Sequence, residues 1–374
     1  MPSPGAGTRS DDAAARRARA KTAIDALNRG ELVILPTETI YGVFAHGGSQ
    51  EALERLKINT PASTTPWSST WHAASVDAVA TAVELESPLH RRVLHRLAPG
   101  PVTFLVPGDS ARLSGIRGKV RALPTALDNG SEASIRVVDH PLTRSVLSQV
   151  DAPVVGKRIS AAGLGPDREL VPAALRKAEE MGIAVVIDDG PTVYGKPSTV
   201  IRMLPAGGYE IVREGALEAR TIQRRIERLI LFVCTGNTCR SPMAEAVART
   251  LVEEGLAGPV PTVVSSAGVS VYGDAPATPE AAKALRELGI EIGPHRSRPL
   301  TRDLLSRAEV IFAMTMSHAD AIRAMDPRVE GRLWLLDPEG EDIPDPIGMS
   351  AEVYRQTAER LRTLILARLR ELDA

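Results

Sequence analysis

From Leu229 onward, short apolar runs and helical stretches alternate without a break. LILFV is followed by PMAEAVARTLVEEGL, PTVVSSAG by PEAAKALRELG and TRDLLSRA, EVIFAM by MSHADAIRAM, and RLWLL by the long SAEVYRQTAERLRTLILARLREL. A strictly alternating order predicts a parallel sheet covered by helices on both faces, with ligands at the carboxyl ends of the strands. The fold class expected here is α/β of the doubly wound type.

The first half is mixed rather than alternating. Strands are expected at ELVILP, PVTFLVP, ASIRVV, APVVG, IAVVID, STVIRM and YEIVRE, and helices at SQEALERLK, SPLHRRVLHRL, HPLTRSVLSQV and PAALRKAEEMG. Residues 1–12 are small and polar and read as disordered, with an amphipathic helix from Ala13 closed by Gly30. A twisted α/β sheet over 13–217 is the expectation, and the charged GALEARTIQRRIER joins it to a second domain over 229–374. At 374 residues the chain exceeds one usual domain, which agrees with that division.

Formal charges nearly cancel at −1, so no global field favours nucleic acid or an acidic membrane surface. No apolar run approaches the ~18 residues of a membrane helix, and the arginine-bearing N-terminus lacks the apolar core of a signal peptide. Only two cysteines occur, Cys234 and Cys239, too few for a disulfide scaffold. The expectation is a cytoplasmic protein with no membrane partner and no metal site.

Both cysteines lie in one turn, CTGNTCRS, between a strand and a helix. Cys234 opens the turn at the sheet's carboxyl edge, Arg240 closes it, and Pro242 suits a first helical turn. Gly236 and Asn237 tolerate left-handed backbone, so successive N–H groups can turn inward as an anion nest. The helix dipole adds to that field, and an arginine fork holds two phosphate oxygens. The same field is expected to leave Cys234 largely thiolate at neutral pH, with Ser241 donating to the sulfur. A thiolate facing a bound phosphate is a nucleophile for phosphoryl transfer through a phosphocysteine.

The segment VCTGNTCRSPMAE resembles the signature of low-molecular-weight protein tyrosine phosphatases, and SSAGV, ATPEAAKALRELGI, HRSRPLT, AEVIFAM and DPIGMSAEVYRQT follow in the family's order. The resemblance implies that Cys234 attacks, Arg240 binds phosphate and Asp345, ahead of Pro346, protonates the leaving group, without a cofactor. Asp337-Pro338 is a rival pair and Asp342 lies nearby; Asp345 is preferred because it directly precedes the SAEVYRQT helix. Thr235, Gly236, Asn237, Thr238, Cys239 and Ser241 then form the phosphate loop, with Ser266 and His295 supporting it. Cys239 is also placed to trap an oxidised Cys234 as a disulfide. Thr238 stands where tyrosine-specific members carry an aliphatic residue, and Ile347-Gly348 replaces their aromatic wall. Both features resemble the family's protein-arginine phosphatases, so phosphoarginine in proteins is the expected substrate and phosphotyrosine the alternative.

In the first half LPTETIYGV, LAPGPVTFLVPG, SIRVVDHP, GKPSTVI and IVREGAL resemble the YrdC-like threonylcarbamoyl-adenylate synthases. Members condense threonine, bicarbonate and ATP, with magnesium, into an adenylate used in transfer RNA modification. The resemblance implies that Thr37, Thr39, Tyr41, Lys57, Arg136, Ser160, Ser198, Thr199 and Arg213 line the substrate groove. ATP, threonine and double-stranded or transfer RNA are the implied partners. Two departures stand out: Asn59 where the family has arginine, and Ala162 where its Ser-x-Asn loop has asparagine. A weakened synthase is expected, a fully bifunctional enzyme being the alternative.

Overall fold

The computed structural model describes residues 7–58, 69–124, 126–158, 178, 182–183 and 185–372, with side chains from residue 13. Ser160, Asn59, Ala162 and nearly all of PAALRKAEEMG fall outside the described residues. The chain divides into two compact units, Met1–Arg225 and Ile226–Ala374.

The first unit is built on a mixed sheet of nine strands among the described residues: β1 Val33–Leu35, β2 Gly42–His46, β3 Thr70–Ala73, β4 Val102–Pro107, β5 Glu132–Val137, β6 Val154–Arg158, β7 Val185–Val186, β8 Thr199–Met203 and β9 Tyr209–Arg213. Their order is β7-β1-β2-β6-β3-β5-β4-β8-β9. The central strands β4 and β5 are antiparallel, with Thr103 opposite Arg136, while β3 runs parallel to β5, with His72 opposite Arg136. That register gathers polar side chains from distant parts of the sequence onto the middle of the sheet.

Strands β2 and β3 are additions to the sequence expectation. GVFAH opens with glycine and TWHA follows a run of serine and threonine, so neither shows the alternation that marks a strand. Sheet neighbours on both sides supply what local pattern lacks. The first helix spans Gly7–Asn28, starting before Ala13; the alanine-rich run is a strong helix former that extends the helix back over residues read as disordered.

In the second unit β10 Arg228–Cys234, β11 Thr262–Gly268, β12 Val310–Ala313 and β13 Leu333–Leu335 pair in parallel, in the order β11-β10-β12-β13. Successive side chains of a strand face opposite ways. Ile230, Phe232 and Cys234 therefore pack with Met243, Val247 and Tyr354, while Leu231 and Val233 pack with Leu305, Ile311 and Ile322. Two covered faces explain why LILFV is apolar throughout. Because the chain leaves β10 for neighbours on either side, the loop after Cys234 sits at a topological switch point, where such sheets bind ligands.

Candidate functional site

The turn after β10 is held from three sides. Asn237 adopts φ 55, a left-handed conformation that asparagine tolerates better than most residues. Its Nδ2 donates to Ser241 Oγ and Ser266 Oγ, both at 2.9 Å, and its Oδ1 accepts from the Arg298 amide at 2.9 Å. His295 Nε2 donates to the Asn237 carbonyl at 2.8 Å, which fixes the ring's tautomer because a carbonyl only accepts. Ser266 passes its hydrogen to Glu245 Oε2 at 2.6 Å. Asn237, Ser241 and Ser266 are wholly buried, so each bond is made away from water and its loss leaves a buried polar atom unsatisfied.

Gly268 lies opposite Cys234 in the β10–β11 register. A Cβ there would meet Thr235 O at 2.5 Å and Asn237 N at 2.9 Å, both backbone atoms. Only glycine lets the turn approach β11 this closely. Gly236, by contrast, is not among the positive-φ glycines, and a Cβ on it would meet Thr238 Oγ1 at an ordinary 3.6 Å. The left-handed bend expected of both residues belongs to Asn237 alone.

Cys234 Sγ lies 2.9 Å from Ser241 Oγ and accepts from the amides of Ser241 and Asn237. Cys234 is 2% exposed. Burial pushes its thiol up, and the pull downward from Ser241, Arg240 and the Asn237 amide is smaller. The expected neutral-pH thiolate is therefore corrected: helix and arginine fields act on this sulfur, but withdrawal from water acts more strongly.

Arg240, first residue of the helix Arg240–Glu253, is 4% exposed. Its Nη1 donates to Ile343 O at 3.0 Å, and Nη2 to Thr235 Oγ1 at 3.3 Å and Asp345 Oδ2 at 2.5 Å. Its Nε is buried with no partner, a donor left over in the site. Thus Asp345 meets Arg240, whereas Asp337 accepts from Arg360 at 2.7 Å and Asp342 from the Met316 amide at 2.7 Å. Both rivals are occupied in holding turns.

Cys239 is buried at the helix start, its sulfur 3.6 Å from Thr278 Oγ1 and from Tyr354 OH and 3.8 Å from Thr238 Oγ1. Thr238's carbonyl accepts from the Thr278 amide at 2.9 Å. Sequence reading missed Glu245, Arg298, Thr315 and His318. His318 Nε2 lies 2.8 Å from Thr235 Oγ1, and Nδ1 2.8 Å from Thr315 Oγ1. The available signal was a histidine in the first turn of a helix following a strand's carboxyl end.

In the first unit Thr37, Thr39 and Arg136 form a chain of one direction. Arg136 Nη2 donates to Thr39 Oγ1 at 2.7 Å, Thr39 to Thr37 at 2.8 Å, and Thr37 to the Ile40 carbonyl at 2.5 Å. Glu38, absent from the sequence reading, pairs with Arg136 at 2.7 Å and accepts from the Asp139 amide. Ser198 Oγ lies 2.9 Å from Thr103 Oγ1, and its carbonyl accepts from Arg213 at 2.9 Å. Burial, with Arg158 and Arg136 nearby, pulls Arg213 down. The Nε atoms of Arg136 and Arg213 are both buried without partners. Like charges gathered with spare donors suit an anionic ligand.

Two of the expected lining residues sit differently. Thr199 is wholly buried, and its hydroxyl joins Leu217 O, Gly215 N and Leu217 N, so it latches the chain after β9 rather than facing a ligand. Tyr41's hydroxyl meets Asp188, Gly190 O and the Asp189 amide, and burial pushes its pKa up. Lys57 is exposed, close enough to lower Lys157, whose shift comes first from burial.

Among the described residues no His, Cys, Asp and Glu side chains cluster as a metal site, and no helix is long and apolar enough to cross a membrane. The family profile described as low molecular weight phosphotyrosine protein phosphatase matches residues 229–374, and the one described as telomere recombination, covering Sua5, YciO and YrdC, matches 25–215. A protein-arginine-phosphatase of Bacillus subtilis is 40% identical over 36% of this chain and 91% of its own. A probable low molecular weight protein-tyrosine-phosphatase EpsP of Ralstonia nicotianae is 35% identical over 36% of this chain and 89% of its own. A crystal structure of a YwlE mutant from Bacillus subtilis aligns at 37% identity over 39% of this chain and 99% of that one, with a TM-score of 0.37. The chain belongs to both families, a Sua5/YciO/YrdC domain fused to a low-molecular-weight protein phosphatase.

Proposed function

We propose that the second unit hydrolyses phosphoarginine in proteins through a phosphocysteine intermediate. The observation that carries this reading is the turn itself: a cysteine sulfur under inward amides at one end, and an arginine with a spare buried donor against a carboxylate at the other. The phosphoryl group takes the guanidinium and the amides, the Cys234 thiol gives its proton to an oxygen of the bound phosphoryl group, and Sγ attacks phosphorus opposite the leaving group. The P–N bond breaks, and Asp345 supplies the proton that lets guanidine leave neutral. Asp345, now a carboxylate, accepts a proton from water, which attacks phosphorus and returns the thiolate with inorganic phosphate. Thr238 and the small Ile347-Gly348 pair support phosphoarginine over phosphotyrosine, as does similarity to a protein-arginine-phosphatase.

Turnover of matched phosphoarginine and phosphotyrosine peptides tests the reading, with Cys234→Ser as control and Thr238→Ile as the specificity variant. Preference for phosphoarginine that shifts toward phosphotyrosine in Thr238→Ile supports it; the same preference in both enzymes discards it.

For the first unit the reading is a nucleotide-binding domain with weakened synthase activity. Arg136 and Arg213 retain donors that fit the phosphates of ATP, which when bound supplies the adenylyl group. Threonine would meet hydroxyls of the Thr37–Thr39 segment, and magnesium would arrive with the nucleotide. Asn59 and Ala162 remove a cation and an amide, contacts worth about 1–3 kcal/mol each. Full synthase activity is the second reading, favoured by the retained arginine pair. Pyrophosphate release with threonine, bicarbonate and ATP decides between them, robust turnover overturning the first.

A further inference from the structure

A guanidinium has donors only, so the contact between Arg240 Nη2 and Thr235 Oγ1 makes the hydroxyl oxygen an acceptor and frees its hydrogen for another partner. His318 Nε2 is that partner, 2.8 Å away. On the far side of the ring, Nδ1 lies 2.8 Å from Thr315 Oγ1, which also caps the helix Met316–Met325 by accepting the His318 amide at 3.3 Å. In the arrangement that uses the hydrogen left over by the Arg240 contact, Thr235 donates into an unprotonated Nε2, and Nδ1–H donates to Thr315. Burial first, then the Arg240 charge, pulls the ring down to about 4 against the opposing pull of Asp345 and Asp342, so the imidazole is neutral as this arrangement needs.

The chain Thr315–His318–Thr235 ends on the same Nη2 that holds Asp345. Of these two side-chain anchors, the carboxylate is the one a phosphoryl oxygen displaces, since both are anionic and compete for the same cation, whereas the Thr235 hydroxyl is neutral. Thr235 is then the anchor that stays. It keeps its aim only while its hydrogen is drawn to the histidine.

We infer that His318 is a positioning residue for phosphoryl transfer, orienting Arg240 through Thr235 without touching the substrate. The inference rests on reading Arg240 as the phosphate ligand. It extends the working unit beyond the CTGNTCRS turn to the start of the helix after β12.

The test uses the full chain and inorganic phosphate as the binding probe, alongside kcat and KM on the preferred phosphopeptide. His318→Ala should weaken phosphate binding and lower kcat/KM by about tenfold each, the scale of one hydrogen bond to a charged group. His318→Gln, whose amide oxygen can accept from Thr235 where Nε2 did, should recover most of both losses. Thr235→Val should reproduce the alanine loss, and adding His318→Ala to it should cost nothing further. Additive losses in the double variant, or unchanged phosphate affinity in His318→Ala, overturn the inference. If His318→Ala lowers the melting temperature, the Gln rescue and the Thr235→Val background carry the decision. Cys234→Ser should bind phosphate and not turn over; wild-type turnover in that variant would sink the phosphatase reading instead, independently of His318.

Discussion

The phosphate turn of the second unit and the cationic face of the first unit both place arginine where an anion would bind, yet they are built in opposite ways. In the turn, eight consecutive residues hold one another through Asn237 and Ser241, and Ser266, Glu245, His295 and Arg298 brace them from outside. On the face, Arg136 and Arg213 come from separate strands, burial with Arg158 and Arg136 nearby pulls Arg213 down, and two buried donors are left open. The first arrangement stores its order in the free protein; in the second Glu38 already pairs with Arg136, and the spare Nε donors are what a ligand would engage. Rigid preorganisation favours chemistry on a small group, whereas an open cationic face favours binding a large anion.

Gly268→Ala should break the contrast most severely, because two of the three atoms its Cβ meets are backbone atoms of the turn, which cannot swing aside as a side chain can. Turnover is expected to fall about a hundredfold, with a stability loss of roughly 1–3 kcal/mol; steady-state assays and thermal melts measure both, and an unaffected enzyme would mean that the turn is not rigid. Asn237→Ala removes three side-chain bonds and leaves the left-handed turn to alanine, for an expected loss of about 2 kcal/mol. Its signature in denaturant titration is a lower midpoint with turnover reduced in parallel.

Acid stability sharpens the comparison next. Burial, with Arg136 beside it, pulls His72 down to about 3, whereas His318 is pulled to about 4. The folded pKa lies below the unfolded one, so between about 6.5 and 3 the unfolded chain binds more protons and stability falls as pH falls. His72→Asn should remove up to about 1.4 kcal/mol of that loss per pH unit across the window, read from unfolding midpoints at stepped pH. An unchanged acid limb would show that His72 does not set it. Arg213→Met gives the smallest effect and the opposite sign to Asn237→Ala: relieving a half-buried, crowded cation should raise stability by up to about 1 kcal/mol while weakening ATP binding. A lower melting temperature in that variant would break the proposed contrast.

Legibility in the sequence follows the same division. A site made of neighbours in one turn shows itself as a string of residue types, so Cys234, Arg240, Asn237 and Ser241 could be named before any fold was known. Their supports were visible only in part. Ser266 and His295 came with the family order, while Glu245, Arg298 and His318 depend on how helices pack beside β10 and β11. On the cationic face, register does the assembling: Glu38 reaches Arg136 across 98 positions, and Thr103 reaches Ser198 across 95. Thr199 read as a groove residue because hydroxyls look alike in sequence, and only its three backbone partners reveal a latch. The ionisation of Cys234 was misread for a related reason: the local fields are written in the turn, but the depth of burial is not.

The contact between Arg240 and Asp345 has a bearing on timing. While the two are joined, the acid is tethered to the cation, so neither is at liberty to act on an unphosphorylated visitor. On the proposed mechanism, an arriving phosphoryl group would claim the guanidinium and, in the same movement, turn loose the carboxyl proposed to protonate the leaving group. Arming and docking thus become one event, and a carbon-13 resonance of the Asp345 carboxyl should move in step with phosphate saturation; a signal indifferent to phosphate would show that they are separate.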